Sequence, residues 1–223
     1  MMIDVRRLLP LLVLVAACSF APGNIQSRQS TDLEKRGIKR IAVVPPVGVL
    51  EEIKRNAPYT GAVSDDRKPS EREAPLTVAR LLYSSMAPLP HWQIVSESEV
   101  REVAQQVTSG TELARILKIG ELVYADAVLT SRVIRFRERV GDQWGAKSPA
   151  SVAFVVDLLD VRRGDVVWSA RFDETQKSLT ENILALGDIS HRGVKWLTAE
   201  ELAADGARKV VSELHQALYR TRS

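Results

Sequence analysis

The clearest pattern of apolar and polar positions lies between residues 125 and 174, where it predicts three antiparallel strands. Residues 152–161 are apolar at nearly every position, whereas a strand with one wet face would alternate, so we place this strand in the interior of a sheet. A turn containing Gly164 follows, because glycine accepts the positive φ that a tight hairpin with a bulge requires. The third strand does alternate and is predicted to be half-buried. Its inward residues are Val166, Trp168, Ala170 and Phe172.

The first strand of this unit, which begins near Ala127, changes character along its length. Up to Val133 its apolar residues fall on both faces, and beyond that point Ile134 and Phe136 keep only one face apolar. The distal end of the strand is therefore predicted to project from the body with one wet, basic face. Residues 141–148 are predicted to form the tip of the hairpin.

Three arginines and one tryptophan at this distal end are candidates for a binding role. They are Arg135, Arg137 and Arg139 on the basic face and Trp144 in the tip. One interpretation is a solvated face with a single exposed aromatic residue, both of which are common on protein surfaces. The other interpretation is a docking patch for an acidic partner, and it makes these four residues the candidate partner surface.

Ahead of the three strands, short apolar runs alternate with helical patterns. Residues 40–44 predict a strand that ends at Pro45–Pro46, since proline cannot continue a central ladder. The charged segment 47–73 is long for a connection inside a compact domain, and we predict a mobile surface loop, with a binding role as the alternative. Pro75 suits the first turn of a helix, and residues 92–95 predict a further strand.

Capping residues mark the remaining helices. One capping box opens a helix over residues 97–108, and a short helix is predicted over residues 111–118 with Gly120 as its stop. Two more boxes follow the three strands, and the second opens a C-terminal helix in which Gly206 is expected to favour a break. The boxes pair Ser96 with Glu99, Ser178 with Glu181, and Thr198 with Glu201.

Together these elements predict an α/β (α+β) fold with a mixed sheet, a C-terminal three-stranded antiparallel meander and helices packed on the sheet. A single domain over residues 39–219 is predicted, and an apolar content of 45% is sufficient for its core. The 31 basic residues nearly balance the 28 acidic ones, which argues against a nucleic-acid-binding module. The oligomeric state is not predicted.

The first 17 residues have the features of a secretory signal rather than of the fold. Arginines near the N-terminus precede an apolar run that is too short to span a bilayer, and the small residues Ala16 and Ala17 follow it. Cys18 comes next and is the only cysteine, so no internal disulfide can form. The sequence Val15-Ala16-Ala17-Cys18 resembles the lipobox of bacterial lipoproteins.

The lipobox resemblance implies cleavage between Ala17 and Cys18, with diacylglycerol on the Cys18 sulfur and a further acyl chain, such as palmitate, on its nitrogen. Two or more acyl chains make a stable membrane anchor. Ser19 stands where an aspartate often retains proteins of this class at the inner membrane, so the resemblance implies the periplasmic face of the outer membrane. Residues 18–38 are then the lipidated cysteine and a flexible tether. An ordinary cleaved signal with an incidental cysteine is the alternative.

The sequence contains no pattern of a catalytic or metal site, so we predict that the protein is not an enzyme and has no metal and no cofactor. His91, His191 and His215 lie far apart without ligand spacing. Neither a glycine-rich phosphate loop nor a nucleophile elbow occurs. The adjacent carboxylates Asp173 and Glu174 would point to opposite faces of a strand, which fits solvated positions better than an acid–base pair.

Two short motifs resemble a periplasmic α/β domain of envelope proteins. Residues 41–45 read IAVVP, an opening strand of that domain, and residues 160–169 read DVRRGDVVWS, a hairpin with aspartate, glycine, tryptophan and serine. The domain is shared by the TolB amino-terminal domain, the penicillin-binding-protein activator LpoB and the periplasmic part of the curli secretion lipoprotein CsgG. The resemblance spans residues 39–218 and implies a non-enzymatic envelope lipoprotein that binds another envelope component.

Three functions are consistent with these observations. The first, which we favour, is an outer-membrane lipoprotein that acts as an interaction or assembly factor for cell-envelope machinery, with an envelope protein as its partner. The second is a periplasmic small-ligand-binding or hydrolytic domain with a pocket under residues 47–73, which converging carboxylates or histidines in a deep cleft would favour. The third is an auxiliary lipoprotein of a lipid or lipopolysaccharide transporter.

Overall fold

The structure is a computed structural model that describes residues 24–46, 69–142, 146–176 and 196–219. Within these ranges the chain forms eight strands, four α-helices and one 3-10 helix. The strands are β1 (Ile25–Gln29), β2 (Arg40–Val44), β3 (Gln93–Ile94), β4 (Ala127–Arg137), β5 (Val140–Gly141), β6 (Ala146–Ser148), β7 (Ser151–Asp160) and β8 (Val166–Thr175). The α-helices are α1 (Pro69–Met86), α2 (Glu97–Gln106), α3 (Glu112–Leu122) and α4 (Ala199–Tyr219), and the 3-10 helix is Leu33–Arg36.

Six of the strands form one mixed sheet in the order β1-β8-β7-β4-β2-β3. β2 runs parallel to β3 and β4, whereas β4, β7, β8 and β1 pair in an antiparallel manner. The nearly continuous apolar strand β7 lies between β4 and β8, as its sequence predicts. The predicted α/β fold class and the C-terminal meander are therefore confirmed. β5 and β6 form a separate short hairpin between β4 and β7.

The two faces of the sheet are covered by different helices. α1 and α4 pack on one face, over a core that includes Leu129, Phe154 and Trp168. α2 and α3 pack on the other face, over a smaller core that includes Val44 and Val128. Neighbouring residues of β4 therefore enter opposite cores, because successive side chains of a strand point to opposite faces. None of the helices in the described ranges is long and apolar enough to cross a membrane.

Two β-bulges change which side chains face the core. The register of β4 against β7 shifts at Ile134, which is 48% exposed, whereas Phe136 is buried. The register of β8 against β7 shifts at Val167, which is buried, and Val166 is 48% exposed. The predictions that Ile134 shares a face with Phe136 and that Val166 points inward are therefore wrong. One extra residue in a strand reverses the side on which the following residues lie.

Residues 25–36 belong to the folded domain, which corrects the prediction of a flexible tether over residues 18–38. β1 pairs with β8 along its whole length and forms one edge of the sheet. The 3-10 helix that follows buries Leu33, which is 1% exposed. The polar sequence of β1 conceals the strand because an edge strand keeps much of its surface in solvent. Residues 1–23 lie outside the described ranges, so the signal sequence and the lipidation of Cys18 stay predictions.

The start of α1 also differs from its prediction. The helix begins at Pro69 rather than at Pro75, so the end of the predicted loop 47–73 is helical. Pro75 lies inside the helix, where it removes one backbone hydrogen bond. The rest of that predicted loop, residues 47–68, lies outside the described ranges.

Gly120 and Gly206 both lie inside unbroken helices, so Gly120 is not a stop and Gly206 causes no break. A Cβ atom on Gly120 would lie 2.6 Å from Val128 Cγ2, and one on Gly206 would lie 2.6 Å from Phe172 Cε1. The two glycines therefore allow α3 and α4 to approach the sheet closely, which a larger residue would prevent.

Two predicted helix caps are present. Ser96 Oγ accepts a hydrogen bond from the Glu99 amide at 3.3 Å at the start of α2. Thr198 Oγ1 accepts from the Glu201 amide at 3.1 Å, and Glu201 Oε2 accepts from the Thr198 amide at 2.9 Å. The last two bonds complete a capping box, which satisfies amide groups that a helix N-terminus leaves without partners. The box predicted from Ser178 lies outside the described residues.

Candidate partner-binding surface

One face of the sheet is only partly covered in the part of the chain that the structure describes. Leu129 on β4, Leu158 on β7 and Trp168 on β8 point into the larger core. The residues next to them along each strand point to the opposite side of the sheet, where α2 and α3 pack. These two helices make their main contacts with β2 and β4. The surface formed there by β1, β8, β7 and the distal half of β4 is here called the open face. Its charged residues are Arg28, Arg132, Arg135, Arg137, Asp157, Arg171 and Asp173.

The register of the strands brings arginines from distant parts of the sequence together on the open face. Arg132 on β4 lies opposite Val155 on β7, which lies opposite Arg171 on β8. Arg28 on β1 lies opposite Ser169 on β8, one step further along the same face. Adjacent strands are about 4.8 Å apart, so the three arginines occupy one contiguous surface.

Asp173 holds two of the arginines of the open face in place. The Arg135 guanidinium donates to Ser151 Oγ at 2.6 Å and also to the Asp173 carboxylate. Arg171 Nη2 donates to Asp173 Oδ2 at 2.6 Å. These hydrogen bonds, first that from Arg171 and then that from Arg135, hold the pKa of Asp173 below its ordinary value. Asp173 is therefore ionised at neutral pH, and it fixes both guanidinium groups at the surface.

The other three arginines of the open face are solvated. Arg28, Arg132 and Arg137 are exposed and have no ion-pair partner among the described residues. Five arginines stand against the two aspartates Asp157 and Asp173, so the open face carries an excess of positive charge. Guanidinium groups present planar sets of donors that match carboxylates, so this surface suits an acidic ligand.

The structure brings together two of the four residues predicted as a partner surface. Arg135 and Arg137 lie on the open face. Arg139 lies beyond the end of β4, and its guanidinium donates to the backbone carbonyl of Trp196. Trp144 lies outside the described residues, so its role stays a prediction.

Sequence reasoning missed three arginines of the open face. Arg171 and Arg132 were detectable in part, because each alternates with buried residues of its own strand. Arg28 was not detectable, because the segment that contains it resembles a tether in composition. Only pairing between β1 and β8 shows that it shares a surface with the others.

A cleft of about 200 Å³ lies between α1 and α2 near the end of β2. Its walls are mainly apolar, and they include Val43, Leu76, Ala79 and Val100. Glu97 is the single acidic residue among the described residues that line it, and none of them is a histidine. The described residues that line the cleft therefore do not include the converging carboxylates or histidines that would favour a hydrolytic domain.

Two histidines that are far apart in the sequence meet in the fold. The ring centroids of His91 and His215 are 6.0 Å apart, and Trp92 contacts His215 edge-on at 5.1 Å. His215 Nε2 lies 3.0 Å from the Pro90 carbonyl oxygen, and the Tyr219 hydroxyl donates to a backbone carbonyl. This aromatic cluster packs the segment before β3 against the end of α4. In the described ranges no group of three or more His, Cys, Asp or Glu residues is arranged to hold a metal ion.

Comparisons with known proteins give matches in structure only. No family model matches the sequence, and no curated protein matches it. PelC from Paraburkholderia phytofirmans matches with a TM-score of 0.43 and 17% identity, over 85% of this chain and 95% of that chain. A lipoprotein from Neisseria meningitidis matches with a TM-score of 0.38 and 19% identity, over 68% and 96% of the two chains.

The C-terminal domain of LpoB from Escherichia coli is also similar to this chain, with a TM-score of 0.35 and 15% identity. That match covers 62% of this chain and 83% of the LpoB domain. LpoB, to which the sequence shows a resemblance, is therefore among the matched structures. At these identities and TM-scores the likeness does not extend to binding or assembly, so the function is inferred from the residues of this chain.

Proposed function

We propose that this chain is a lipoprotein, anchored at Cys18 to the periplasmic face of the outer membrane, that binds an acidic surface of another envelope protein through its open face. It acts as an interaction or assembly factor and catalyses no reaction. One observation carries the proposal of binding. Arg28, Arg132 and Arg137 stand exposed, without ion-pair partners among the described residues, on a part of the sheet that lies away from the main contacts of α2 and α3.

The position of Cys18 supports the anchor. It directly follows the apolar run and the small residues Ala16 and Ala17 that precede signal cleavage, and no other cysteine occurs. Diacylglycerol with a further acyl chain gives stable attachment to a bilayer, whereas a single chain gives only marginal attachment.

The arrangement of the open face supports an acidic protein surface as the ligand. Arg135 and Arg171 are already fixed by Asp173, so little side-chain entropy is lost when a carboxylate binds beside them. Half-buried Val155 lies between Arg132 and Arg171 and offers apolar contact at the centre. A protein interface combines these two features, an apolar centre with charged groups around it.

Mass analysis of the mature chain tests the anchor. We expect an N-terminal cysteine that carries the mass of diacylglycerol and an acyl chain, and we expect globomycin treatment of the cells to leave the unprocessed precursor. A mature chain with an unmodified N-terminus, or a soluble periplasmic form made in the presence of the drug, would refute the anchor.

Photo-crosslinking in intact cells tests the binding surface. A photoreactive residue replaces Gln26, which is exposed and lies opposite Arg171 on the open face. We expect an adduct with an acidic peptide of an envelope protein, and we expect Arg28→Glu with Arg132→Glu to lower its yield about tenfold, because like charges oppose each other in the complex. The matched control is Arg208→Glu on α4, whose side chain is 64% exposed and lies away from the open face. Equal yields in both variants would exclude the open face as the binding surface.

A further inference from the structure

Asn24, six residues after Cys18, is hydrogen-bonded to strand β8. The Asp173 amide donates to the Asn24 carbonyl oxygen at 3.0 Å, and Asn24 Nδ2 donates to Glu174 Oε2 at 2.5 Å. β1 begins at the next residue, Ile25, and pairs with β8. Asn24 is the first residue that the structure describes, and these bonds hold it on the edge of the sheet beside Asp173 and Glu174 of β8.

Covalent geometry limits how far this point can lie from the anchor. Cys18 and Asn24 are six residues apart in the sequence. A fully extended chain spans at most about 3.6 Å per residue, so their Cα atoms are at most about 22 Å apart. A flexible tether over residues 18–38 would instead have allowed about 70 Å.

The open face lies close to Asn24. Arg132 and Arg171 lie on either side of Val155, in the same row across the sheet. Arg171 is two residues before Asp173, whose amide is hydrogen-bonded to Asn24. Three strand spacings separate β1 from β4, so Arg132 lies within about 16 Å of Asn24 and about 40 Å of Cys18. Arg28 is closer still, because it is on the same strand as the attachment point.

We infer that the acidic partner of the open face is carried by the same membrane as the lipid anchor. This inference rests on the proposed function, because it requires an acylated Cys18. Because Arg132 is at most about 40 Å from Cys18, the open face stays close to the bilayer surface. The partner is therefore a protein whose acidic surface lies close to that bilayer, such as the periplasmic side of an outer-membrane protein.

The positive charge of the open face excludes the open face of a second copy of this chain as the partner. A second copy of this chain would oppose Arg28, Arg132 and Arg137 with the same three arginines. Like charges brought together across an interface oppose association, so the open face does not bind the open face of a second copy.

Moving the anchor to the other membrane tests this inference. Ser19→Asp introduces the residue that often retains lipoproteins of this class at the inner membrane, and density-gradient fractionation of the membranes verifies its location. If fractionation shows that the variant is not retained at the inner membrane, residues 1–18 are replaced by a transmembrane helix of an inner-membrane protein, and crosslinking is measured with that chain. We expect the adduct formed from position Gln26 to fall at least about tenfold, because a linker that cannot span two sites gives an effective concentration near zero.

A longer linker provides the matched control. Ser19→Asp combined with a long flexible Gly/Ser insertion between Pro22 and Gly23 has the same anchor and the same open face but a greater reach. We expect this variant to recover the adduct with the same acidic peptide. Recovery shows that reach, and not loss of folding, removed the adduct in the short variant.

The outcomes separate the inference from the proposed function. If the natural chain gives no adduct with an acidic peptide, both the proposed function and the inference fail. If the natural chain gives the adduct and the short inner-membrane variant gives it equally well, the binding surface stands and only the inference about the membrane of the partner is wrong.

Discussion

Arg36 Nη1 and Asp160 Oδ2 lie 2.9 Å apart, although the two residues are separated by most of the domain sequence. Their side chains are 6% and 5% exposed. Asp160 also accepts from the amides of Arg162 and Arg163 in the turn after β7, so its carboxylate orders that turn. The ion pair therefore joins the 3-10 helix after β1 to the β7–β8 hairpin, and together with the pairing of β1 and β8 it holds residues 25–36 on the domain.

Loss of this guanidinium should destabilise the domain. We expect Arg36→Met to lower the Tm by more than about 5 °C, because removing one member of a buried ion pair leaves the other, here Asp160, without compensation. Thermal unfolding followed by circular dichroism measures the change. The matched control is Arg163→Met, which removes an arginine whose side chain is 63% exposed and should leave the Tm nearly unchanged. Equal losses in both variants would contradict the role of Arg36.

The same ion network should make stability depend on acid pH. Hydrogen bonds from Ser30 and then Arg36 lower the pKa of Asp32 from 3.8 to about 2, and the Arg36 hydrogen bond lowers the pKa of Asp165. A carboxylate whose folded pKa lies below its unfolded pKa stabilises the fold fully above the unfolded pKa, and this contribution is lost as the pH falls through the folded pKa.

We therefore expect the free energy of unfolding to fall between pH 4 and pH 2, and to fall less steeply in Arg36→Met. Urea unfolding at pH 7, 4 and 2.5 measures both slopes. Parallel pH profiles for the two proteins would show that the network does not set the pKa values of these aspartates.

Gly206 should not accept even a methyl group. Alanine stabilises an isolated helix by about 1 kcal/mol relative to glycine. In α4, however, a Cβ on Gly206 would lie 2.6 Å from Phe172 Cε1, and overpacking of this kind costs about 1–3 kcal/mol. We expect Gly206→Ala to lower the free energy of unfolding, as measured by urea titration. In a Phe172→Leu background the same change should cost less, since the opposing ring is gone.

Replacing either of two buried serines on neighbouring strands with alanine should change the free energy of unfolding, and the two changes should have opposite signs. Ser131 is 4% exposed, and its hydroxyl has no hydrogen-bond partner among the described residues. Ser131→Ala removes a buried polar group without a partner and should raise the free energy of unfolding by about 1 kcal/mol. Urea titration measures the change.

Ser151 provides the comparison for this prediction. It is 7% exposed, and its hydroxyl accepts from Arg135 and contacts the Thr175 hydroxyl at 2.6 Å. Ser151→Ala should lower the free energy of unfolding by about 1 kcal/mol, because it leaves the donor without its acceptor. A decrease for both serines would indicate that the Ser131 hydroxyl has a partner in solution.

The sequence by itself determined the elements whose signals are local. The apolar run of β7, the positive φ of 73° at Gly164 in the following turn, and the capping side chains Ser96 and Thr198 all act within a few residues of themselves. Periodicity and capping therefore predicted the meander, the helices and the fold class. The motif at Cys18 is local in the same sense, and it is the basis for the proposed anchor.

Only the tertiary structure decided what depends on pairing between distant segments. A polar segment before Arg36 becomes an edge strand because β8 offers it a free row of backbone donors and acceptors. The bulge at Ile134 appears only in the register of β4 against β7, and the place of Arg28 beside Arg171 appears only in the register of β1 against β8. Such contacts join residues that no local pattern relates, so the open face and the position of Asn24 beside it follow from the fold alone.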